Sequence, residues 1–336
     1  MVCLMKPFRQ RWPWIGADLQ TLRDTLRPEP LPPDQGLALP VAVGGGDQLL
    51  VLADQPSGGL CPRALVVLVH GLAGDSGRQG VRRLAWLLQR RGLAVWRPNL
   101  RGAGAGRSLA RGSYAAACTA DLLPVLAAAR SQAAGRPLLG VGLSLGGTIL
   151  LNALLEQPAA LDGLVCVSSP LDLQACSRQI AAPRNRLYER WLLRRLIAQT
   201  LADPFGPEPD TRRALLGRDR PRSIRAFDAV ITAPRWGYRS VDHYYAAASP
   251  GPALLASGRA ARLPPALLLH AADDPWVPVA ATRQLAEALA SGACPSPWQV
   301  WIPRHGGHNG FHGPAASWAD QQVAAWLETR LGAAGA

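Results

Sequence analysis

The 336-residue sequence predicts an α/β fold, with a mostly parallel eight-stranded sheet and helices on both of its faces. Short apolar runs typical of buried strands alternate with segments of helical periodicity. The glycine-rich turn 44–47 joins the first two runs as an antiparallel hairpin, whereas the later runs are separated by helices, as parallel strands require. The predicted strands are 38–43, 48–53, 65–70, 93–97, 138–142, 163–168, 266–271 and 298–303.

The alternation divides the chain into three parts. Residues 1–36, rich in Trp, Pro and Arg, are expected to form an N-terminal arm packed on the core, which comprises 37–169 and 263–336. The pattern breaks over 170–262, here called the lid segment. Because this segment lies between the predicted strands 163–168 and 266–271, we expect it to form a helical lid above the strand carboxyl ends. The predicted core helices are 79–91, 119–134, 147–157, 280–291 and 315–331.

A candidate nucleophile lies at a turn from strand to helix. The motif Gly142-Leu143-Ser144-Leu145-Gly146 follows the apolar run 137–141 and precedes the apolar helix 147–157. Small residues on either side of the serine permit a sharp turn that holds its hydroxyl clear of the backbone. The alternative is a glycine-rich turn with an incidental serine, so the interpretation needs a base and an orienting acid.

Candidate acids follow the predicted strand 266–271. Asp273 and Asp274 lie just past this strand and before a proline-rich turn, where a carboxylate reaches the same sheet edge as Ser144. Asp274 is favoured as the acid because of its spacing to Val277-Pro278. The other aspartate is expected to cap the helix that begins near Val279.

The candidate base is His308, which follows two glycines in the loop after the last predicted strand. His305 and His312 are expected to be loop or supporting residues. An alternative is that the three histidines bind a metal, but the four glycines among them argue against one helical face. The run 102–106 also lacks the spacing of a dinucleotide-binding fingerprint. We therefore expect neither a metal nor a cofactor.

Backbone donors for an oxyanion are predicted in two loops. The buried run 64–69 ends in His70-Gly71-Leu72-Ala73-Gly74, where glycines allow an N–H to point into the site. The expected donors are the N–H of Leu72 and that of Leu145, the residue after the nucleophile. His70 is expected to brace the loop.

The formal net charge is +13, and the basic residues other than Lys6 are arginines. Between Arg178 and Arg225 there are twelve arginines and five acidic residues, a net charge of +7. Such a stretch either attracts anionic lipid head groups, giving weak peripheral membrane contact, or is a solvated helix face. The sequence lacks the interleaved basic and aromatic residues of an RNA-reading sheet, so we expect no nucleic-acid partner. We see neither a secretory signal nor a membrane-length apolar run, and expect a cytoplasmic protein.

Taken together, these motifs resemble the YheT-like branch of the α/β-hydrolases, whose eukaryotic relatives include lipid-acting esterases and phospholipases. The resemblance implies a hydrolase with Ser144 as nucleophile, Asp274 as orienting acid and His308 as base, in the chain order of that fold. Asp18 departs from the histidine that is usual before Leu-Gln-Thr. The matching motifs are Leu19-Gln20-Thr21-Leu22, His70-Gly71-Leu72-Ala73-Gly74, Asn99-Leu100-Arg101-Gly102, Gly142-Leu143-Ser144-Leu145-Gly146-Gly147, Ser168-Ser169-Pro170-Leu171-Asp172-Leu173, Phe227-Asp228, Tyr244-Tyr245, His270-Ala271-Ala272-Asp273-Asp274-Pro275 and His305-Gly306-Gly307-His308-Asn309-Gly310-Phe311.

The expected activity is hydrolysis of a carboxylic ester with a short- to medium-chain or lipid-like acyl group, through an acyl-enzyme. Aromatic residues of the lid segment favour an apolar acyl chain as substrate. Two alternatives are a non-catalytic binding protein on the same fold and a thioesterase or peptidase. The sequence does not determine an oligomeric state. The lid candidates for substrate binding are Tyr188, Trp191, Trp236, Tyr244 and Tyr245.

Overall fold

Runs rich in valine and leucine form the strands of a single eight-stranded sheet in this computed structural model, which describes residues 7–256, 259–293 and 297–333. Cys3, Lys6 and Cys294, and with them the start of the chain, lie outside the described residues. The strands are β1 (Leu37–Gly44), β2 (Asp47–Asp54), β3 (Leu65–Val69), β4 (Ala94–Pro98), β5 (Leu138–Leu143), β6 (Gly163–Val167), β7 (Ala266–Leu269) and β8 (Trp298–Trp301).

The strand order is β1-β2-β4-β3-β5-β6-β7-β8. β1 pairs with β2 and β2 with β4 in antiparallel register, and every later pairing is parallel. This confirms the predicted sheet, which begins antiparallel and continues parallel. Because β3, β5, β7 and β8 run in one direction, the loops that follow them meet at one edge.

Helices cover both faces of the sheet because side chains of a strand alternate between its faces. In β3, Val67 packs in the cluster that holds α3 (Thr119–Ala133) and α4 (Leu145–Glu156), whereas Val66 and Leu68 pack in the cluster that holds α2 (Gln79–Arg90) and α13 (Trp318–Ala333). The helices are α1 (Ala17–Leu26), α2 (Gln79–Arg90), α3 (Thr119–Ala133), α4 (Leu145–Glu156), α5 (Leu173–Ile180), α6 (Arg186–Leu201), α7 (Pro209–Leu216), α8 (Ile224–Phe227), α9 (Ala233–Arg235), α10 (Val241–Ala248), α11 (Gly251–Leu255), α12 (Ala280–Ala290) and α13 (Trp318–Ala333).

Between β6 and β7 the chain forms the helices α5 to α11. A third apolar cluster lies here, and in it Leu192 and Leu196 of α6 pack with Phe227 and with Ala73 of the loop after β3. The lid segment therefore contacts the sheet edge at which the candidate site lies. Among the helices of the described residues, none is long and apolar enough to cross a bilayer.

The N-terminal helix α1 is attached to the loop that follows β8. The buried side chain of Gln20 donates to the carbonyls of Trp14 and His312 and accepts the N–H of His312 at 2.7 Å. On the exposed side, Asp18 accepts hydrogen bonds from Arg184 and Tyr188 of the lid segment. The aspartate that departs from the family pattern thus links the arm to the lid segment.

Candidate active site

Ser144 lies at the turn between β5 and α4. Its backbone φ is +53°, a positive value that residues other than glycine rarely adopt. The close packing around it explains the flanking glycines. A Cβ at Gly142 would overlap Gly147, and one at Gly146 would overlap the carbonyl of Val69. The backbone is thereby held in the sharp turn that presents the serine hydroxyl.

His308 lies between Ser144 and Asp274. Its Nε2 is 2.9 Å from Ser144 Oγ, and its Nδ1 is 2.9 Å from Asp274 Oδ2. The loops after β5, β7 and β8 therefore bring together three side chains that are as far as 164 positions apart in the chain. The imidazole can therefore act as a base toward the serine hydroxyl on one side, while the carboxylate contacts its other nitrogen.

Asp274 is buried and held by several donors. Its Oδ1 accepts the N–H groups of Trp276 and Val277, and its Oδ2 faces His308. Burial alone would raise its pKa, but the charge and hydrogen bond of His308, together with His270 Nε2 at 3.6 Å, outweigh burial and lower the pKa below its usual value. Asp274 therefore remains ionised near neutral pH.

Asp273 has a different role from the helix cap that the sequence suggested. Its Oδ1 accepts the N–H of Gly307 at 2.9 Å, and its Oδ2 lies 3.2 Å from His305 Nδ1. Helix α12 begins after Val279 without a side-chain cap, so the expectation that one aspartate caps it was wrong. The carboxylate of Asp273 instead fixes the glycine turn that precedes His308.

Three residues around His308 were not identified from the sequence. Thr21 of α1 accepts the backbone N–H of His308 at 2.9 Å, and the ring of Trp276 stacks on the imidazole at a centroid distance of 4.6 Å. Asn309 Nδ2 lies 3.2 Å from the same Nε2 that faces Ser144. The motif Leu19-Gln20-Thr21-Leu22 marked Thr21 but gave no indication of its partner.

The other two histidines of this loop have separate partners. His305 lies beside Asp273, and His312 Nε2 lies 3.5 Å from Asp24 Oδ1 in α1. Burial lowers the pKa of His312 to about 3. In the part of the chain that the structure describes, no three His, Cys, Asp or Glu side chains form a metal-binding group.

The loop after β3 packs directly on the nucleophile. A Cβ at Gly71 would lie 2.9 Å from Ser144 Cβ, and the next residue, Leu72, lines the cavity that contains Ser144. Leu145 lines it too and is the first residue of α4, so its N–H has no acceptor within the helix.

His70 supports this loop. Its Nε2 accepts the N–H of Leu100, and its Nδ1 donates to the carbonyl of Gly71 at 2.9 Å. Burial lowers the pKa of His70 to about 4, so the ring is neutral at pH 7.

A cavity of about 650 Å³ opens above Ser144 between the sheet edge and the lid segment. Of the aromatic residues predicted to bind substrate, Trp191, Tyr244 and Tyr245 line this cavity. Tyr188 and Trp236 are not in its lining. Tyr188 packs on Trp276 and donates to Asp18, and Trp236 donates to the carbonyl of Ser113.

Asp228 is a half-buried acid in the wall of this cavity. It begins a π-helical turn after α8 and accepts hydrogen bonds from Thr232 at 2.6 Å and from Tyr245 at 2.8 Å. Burial raises its pKa to about 6, against the effect of these two hydrogen bonds. The Phe227-Asp228 motif gives no indication in the sequence that Thr232 and Tyr245 hold this carboxylate.

Comparison with known families and proteins gives matches over most of the chain. The family model described as "Serine aminopeptidase, S33" matches residues 61–295. "Putative esterase YheT" of Escherichia coli (strain K12) is 31% identical over 273 residues, which cover 79% of this chain and 77% of that protein. "Phospholipase ABHD3" of Mus musculus is 30% identical over 221 residues, 64% of this chain and 52% of that protein. The chain thus spans about half the length of the mouse protein.

Solved structures share the same fold at low sequence identity. Est1E from Butyrivibrio proteoclasticus has a TM-score of 0.54 at 15% identity, with 89% of this chain and 100% of that chain covered. The monoacylglycerol lipase of Paleococcus ferrophilus has a TM-score of 0.52 at 18% identity, with 84% and 99% covered. At these identities the similarity concerns the fold alone.

Proposed function

The chain belongs to the YheT-like α/β-hydrolases, and on this premise we propose that it is a serine hydrolase that cleaves carboxylic esters through an acyl-enzyme. The single observation that carries the proposal is the position of His308, within 2.9 Å of both Ser144 Oγ and Asp274 Oδ2. A base needs contact with the nucleophile on one side and an orienting acid on the other.

In the proposed reaction, His308 Nε2 takes the proton from Ser144 Oγ as that oxygen attacks the ester carbonyl. Asp274 holds the imidazole in the required tautomer and stabilises the imidazolium. The proton then passes from His308 to the departing alkoxide, which leaves the acyl group on Ser144. Water, deprotonated by His308, attacks the acyl-enzyme, and His308 returns the proton to Ser144 Oγ as the bond to the acyl group breaks and the acid is released. The N–H groups of Leu72 and Leu145 stabilise the oxyanion in both steps, by about 3 kcal/mol per donor.

The walls of the cavity support an ester with an apolar acyl group. Trp191, Leu192 and Leu196 of α6 and Tyr244 and Tyr245 of α10 line the cavity that contains Ser144. Burying a methylene group among such side chains contributes about 0.8 kcal/mol. We therefore propose a short- to medium-chain or lipid-like acyl group, covered by the lid segment during the reaction.

We further propose weak peripheral contact of the lid segment with anionic lipid and a cytoplasmic location. On α6, Leu187 and Trp191 are one turn apart and 78% and 42% exposed, and the exposed Arg186 and Arg190 flank them. Exposed apolar side chains beside basic ones favour the surface of an anionic bilayer. Co-sedimentation with phosphatidylglycerol vesicles but not with phosphatidylcholine vesicles is the expected result, and equal recovery with both would refute the contact.

Hydrolysis of p-nitrophenyl butyrate by the Ser144→Ala variant tests the main proposal. The loss of the nucleophile is expected to reduce kcat by at least about 10⁴-fold. Ser131→Ala is the matched control, because this serine lies on α3 and its side-chain hydroxyl bonds only to the carbonyl of Ala127 within the described residues. Retained turnover in the folded Ser144→Ala protein would refute the proposal.

Assays of the purified wild-type protein distinguish ester hydrolysis from the alternatives. A non-catalytic binding protein would turn over no ester, even as the folded wild-type chain. A thioesterase or a peptidase would prefer the thioester or the amide in a set of substrates matched in acyl group. We expect the ester to give the highest kcat/KM relative to its uncatalysed rate.

A further inference from the structure

Two arginines from distant parts of the chain meet at one carbonyl beside the nucleophile. Arg78, just before α2, donates from Nη2 to the carbonyl of Ala73 at 3.0 Å, and Arg195 of α6 donates from Nη2 to the same oxygen at 3.1 Å. The two nitrogens are therefore no more than about 6 Å apart. Like charges at this distance repel each other unless an anion lies between them.

Neither arginine has a carboxylate partner within the described residues. Two buried arginines are paired, Arg83 with Asp24 and Asp320 and Arg97 with Asp34 and Asp54, whereas Arg78 and Arg195 are half-buried. By contrast, the structure contains no ion pair of Arg78 or Arg195 within residues 7–256, 259–293 and 297–333. The acid nearest to Arg78 in sequence, Asp75, accepts the N–H of Gly77 instead.

Most donors of the two guanidinium groups are also unused. A guanidinium carries five N–H donors, and among the described residues each group makes a single hydrogen bond, to Ala73. The Nε of Arg195 is buried and has no acceptor, while its guanidinium lies 5.2 Å from the ring centre of Trp191. A buried donor without an acceptor is costly. This Nε has almost no accessible surface, so a ligand in the cavity would have to bind the other guanidinium donors.

Both arginines line the cavity that contains Ser144. Ala73 is two residues beyond Gly71, which packs on Ser144, so its Cα is at most about 8 Å from that of Gly71. A group held by the arginines would thus lie in the same cavity as the scissile ester. Leu192 and Leu196 line the same cavity, so the charge would belong to a molecule with an apolar part.

From these contacts we infer that Arg78 and Arg195 bind an anionic group of the substrate, a phosphate or a carboxylate. The substrate is then an amphiphilic ester whose negative charge and carbonyl occupy the same cavity. Oxygens of such a group match the geometry of guanidinium donors and neutralise the two like charges. This inference rests on the proposed ester hydrolysis and specifies its substrate class.

A purely structural role would make a different prediction. If the arginines only fix the loop 70–74 through Ala73, their loss disturbs the donors beside Ser144 for every ester alike. If they bind an anion, their loss affects charged esters selectively. The distinction therefore requires substrates that differ only in charge.

Three p-nitrophenyl esters of similar length provide this comparison: the neutral pentanoate, the monoester of glutaric acid and the 4-phosphonobutanoate. The kcat/KM of each is measured for wild type, Arg78→Gln and Arg195→Gln. Arg194→Gln is the matched control, since Arg194 is the exposed neighbour on α6 and is not in the cavity lining. The ratio of charged to neutral ester cancels general damage to the site.

We expect wild type to prefer at least one charged ester. In Arg78→Gln and Arg195→Gln, kcat/KM should fall by about tenfold or more on that ester and by less than about threefold on the pentanoate. In Arg194→Gln, kcat/KM should be unchanged on all three esters. The preferred anion identifies the group as carboxylate or phosphate. Equal losses on charged and neutral esters, or no preference in wild type, would overturn the inference while leaving Ser144-dependent ester hydrolysis intact. Failure of the proposed function would instead appear as absent or Ser144-independent turnover of all three esters.

Discussion

Replacing each of the two adjacent aspartates by asparagine tests which carboxylate orients the base. In Asp274→Asn, the N–H groups of Trp276 and Val277 require the amide oxygen at the Oδ1 position, because both now donate to Oδ1. The amide nitrogen then takes the place of Oδ2, 2.9 Å from His308 Nδ1. Since an amide nitrogen only donates, Nδ1 must accept, and the imidazole proton moves to Nε2.

With its proton on Nε2, His308 donates to Ser144 instead of accepting from it. A reversed tautomer in such a site costs about 10⁴-fold in kcat, equivalent to about 5.5 kcal/mol of transition-state stabilisation. In Asp273→Asn, the side-chain oxygen can still accept the N–H of Gly307, and only the contact with His305 changes. We expect the kcat of Asp273→Asn to fall by less than about tenfold.

Steady-state hydrolysis of p-nitrophenyl butyrate by both variants measures the difference, with thermal unfolding as the check that each protein is folded. The fall in kcat should be at least about 10³-fold larger in Asp274→Asn than in Asp273→Asn. Similar losses in the two variants, or a larger loss in Asp273→Asn, would refute the assignment of Asp274.

Two further predictions concern the loop beside the nucleophile and Asp228 in the wall of the cavity. Gly71→Ala places a Cβ 2.9 Å from Ser144 Cβ, so we expect kcat to fall by about 10²-fold while the Tm changes by only a few degrees; wild-type kinetics would contradict this. Burial raises the pKa of Asp228 to about 6, above its unfolded value, so the wild-type free energy of unfolding should fall as the pH rises from about 4 to 6. Asp228→Asn should remove up to about 3 kcal/mol of this pH dependence in urea unfolding, and parallel pH profiles for the two proteins would contradict it.

The sheet and its order of elements follow from patterns that are local in sequence. The run Leu65–Val69 is buried at every position, so its identity as a strand did not depend on knowing its neighbours. The same holds for the turn at Ser144, because tight packing on both sides of the serine requires small residues whatever the rest of the chain does. Local sequence was therefore sufficient to predict the sheet and the turn.

Contacts between distant segments could not be predicted in this way. Thr21 accepts the N–H of His308 across 287 positions, and nothing local to either residue specifies that pair. The spacing to Val277-Pro278 favoured Asp274 as the acid, but the contact of Asp273 with the N–H of Gly307 depends on how the loops after β7 and β8 meet. The convergence of Arg78 and Arg195 on Ala73 likewise depends on how α6 packs over the loop after β3.

Covalent labelling with a fluorophosphonate probe, followed by peptide mapping, tests the central claim most directly. The reagent reacts with a serine hydroxyl that a neighbouring base has activated, and it needs no knowledge of the substrate. We expect stoichiometric modification of Ser144 in the wild-type protein and none in Ser144→Ala. Modification at another residue, or an unlabelled Ser144 in the folded protein, would contradict the claim that His308 activates this hydroxyl.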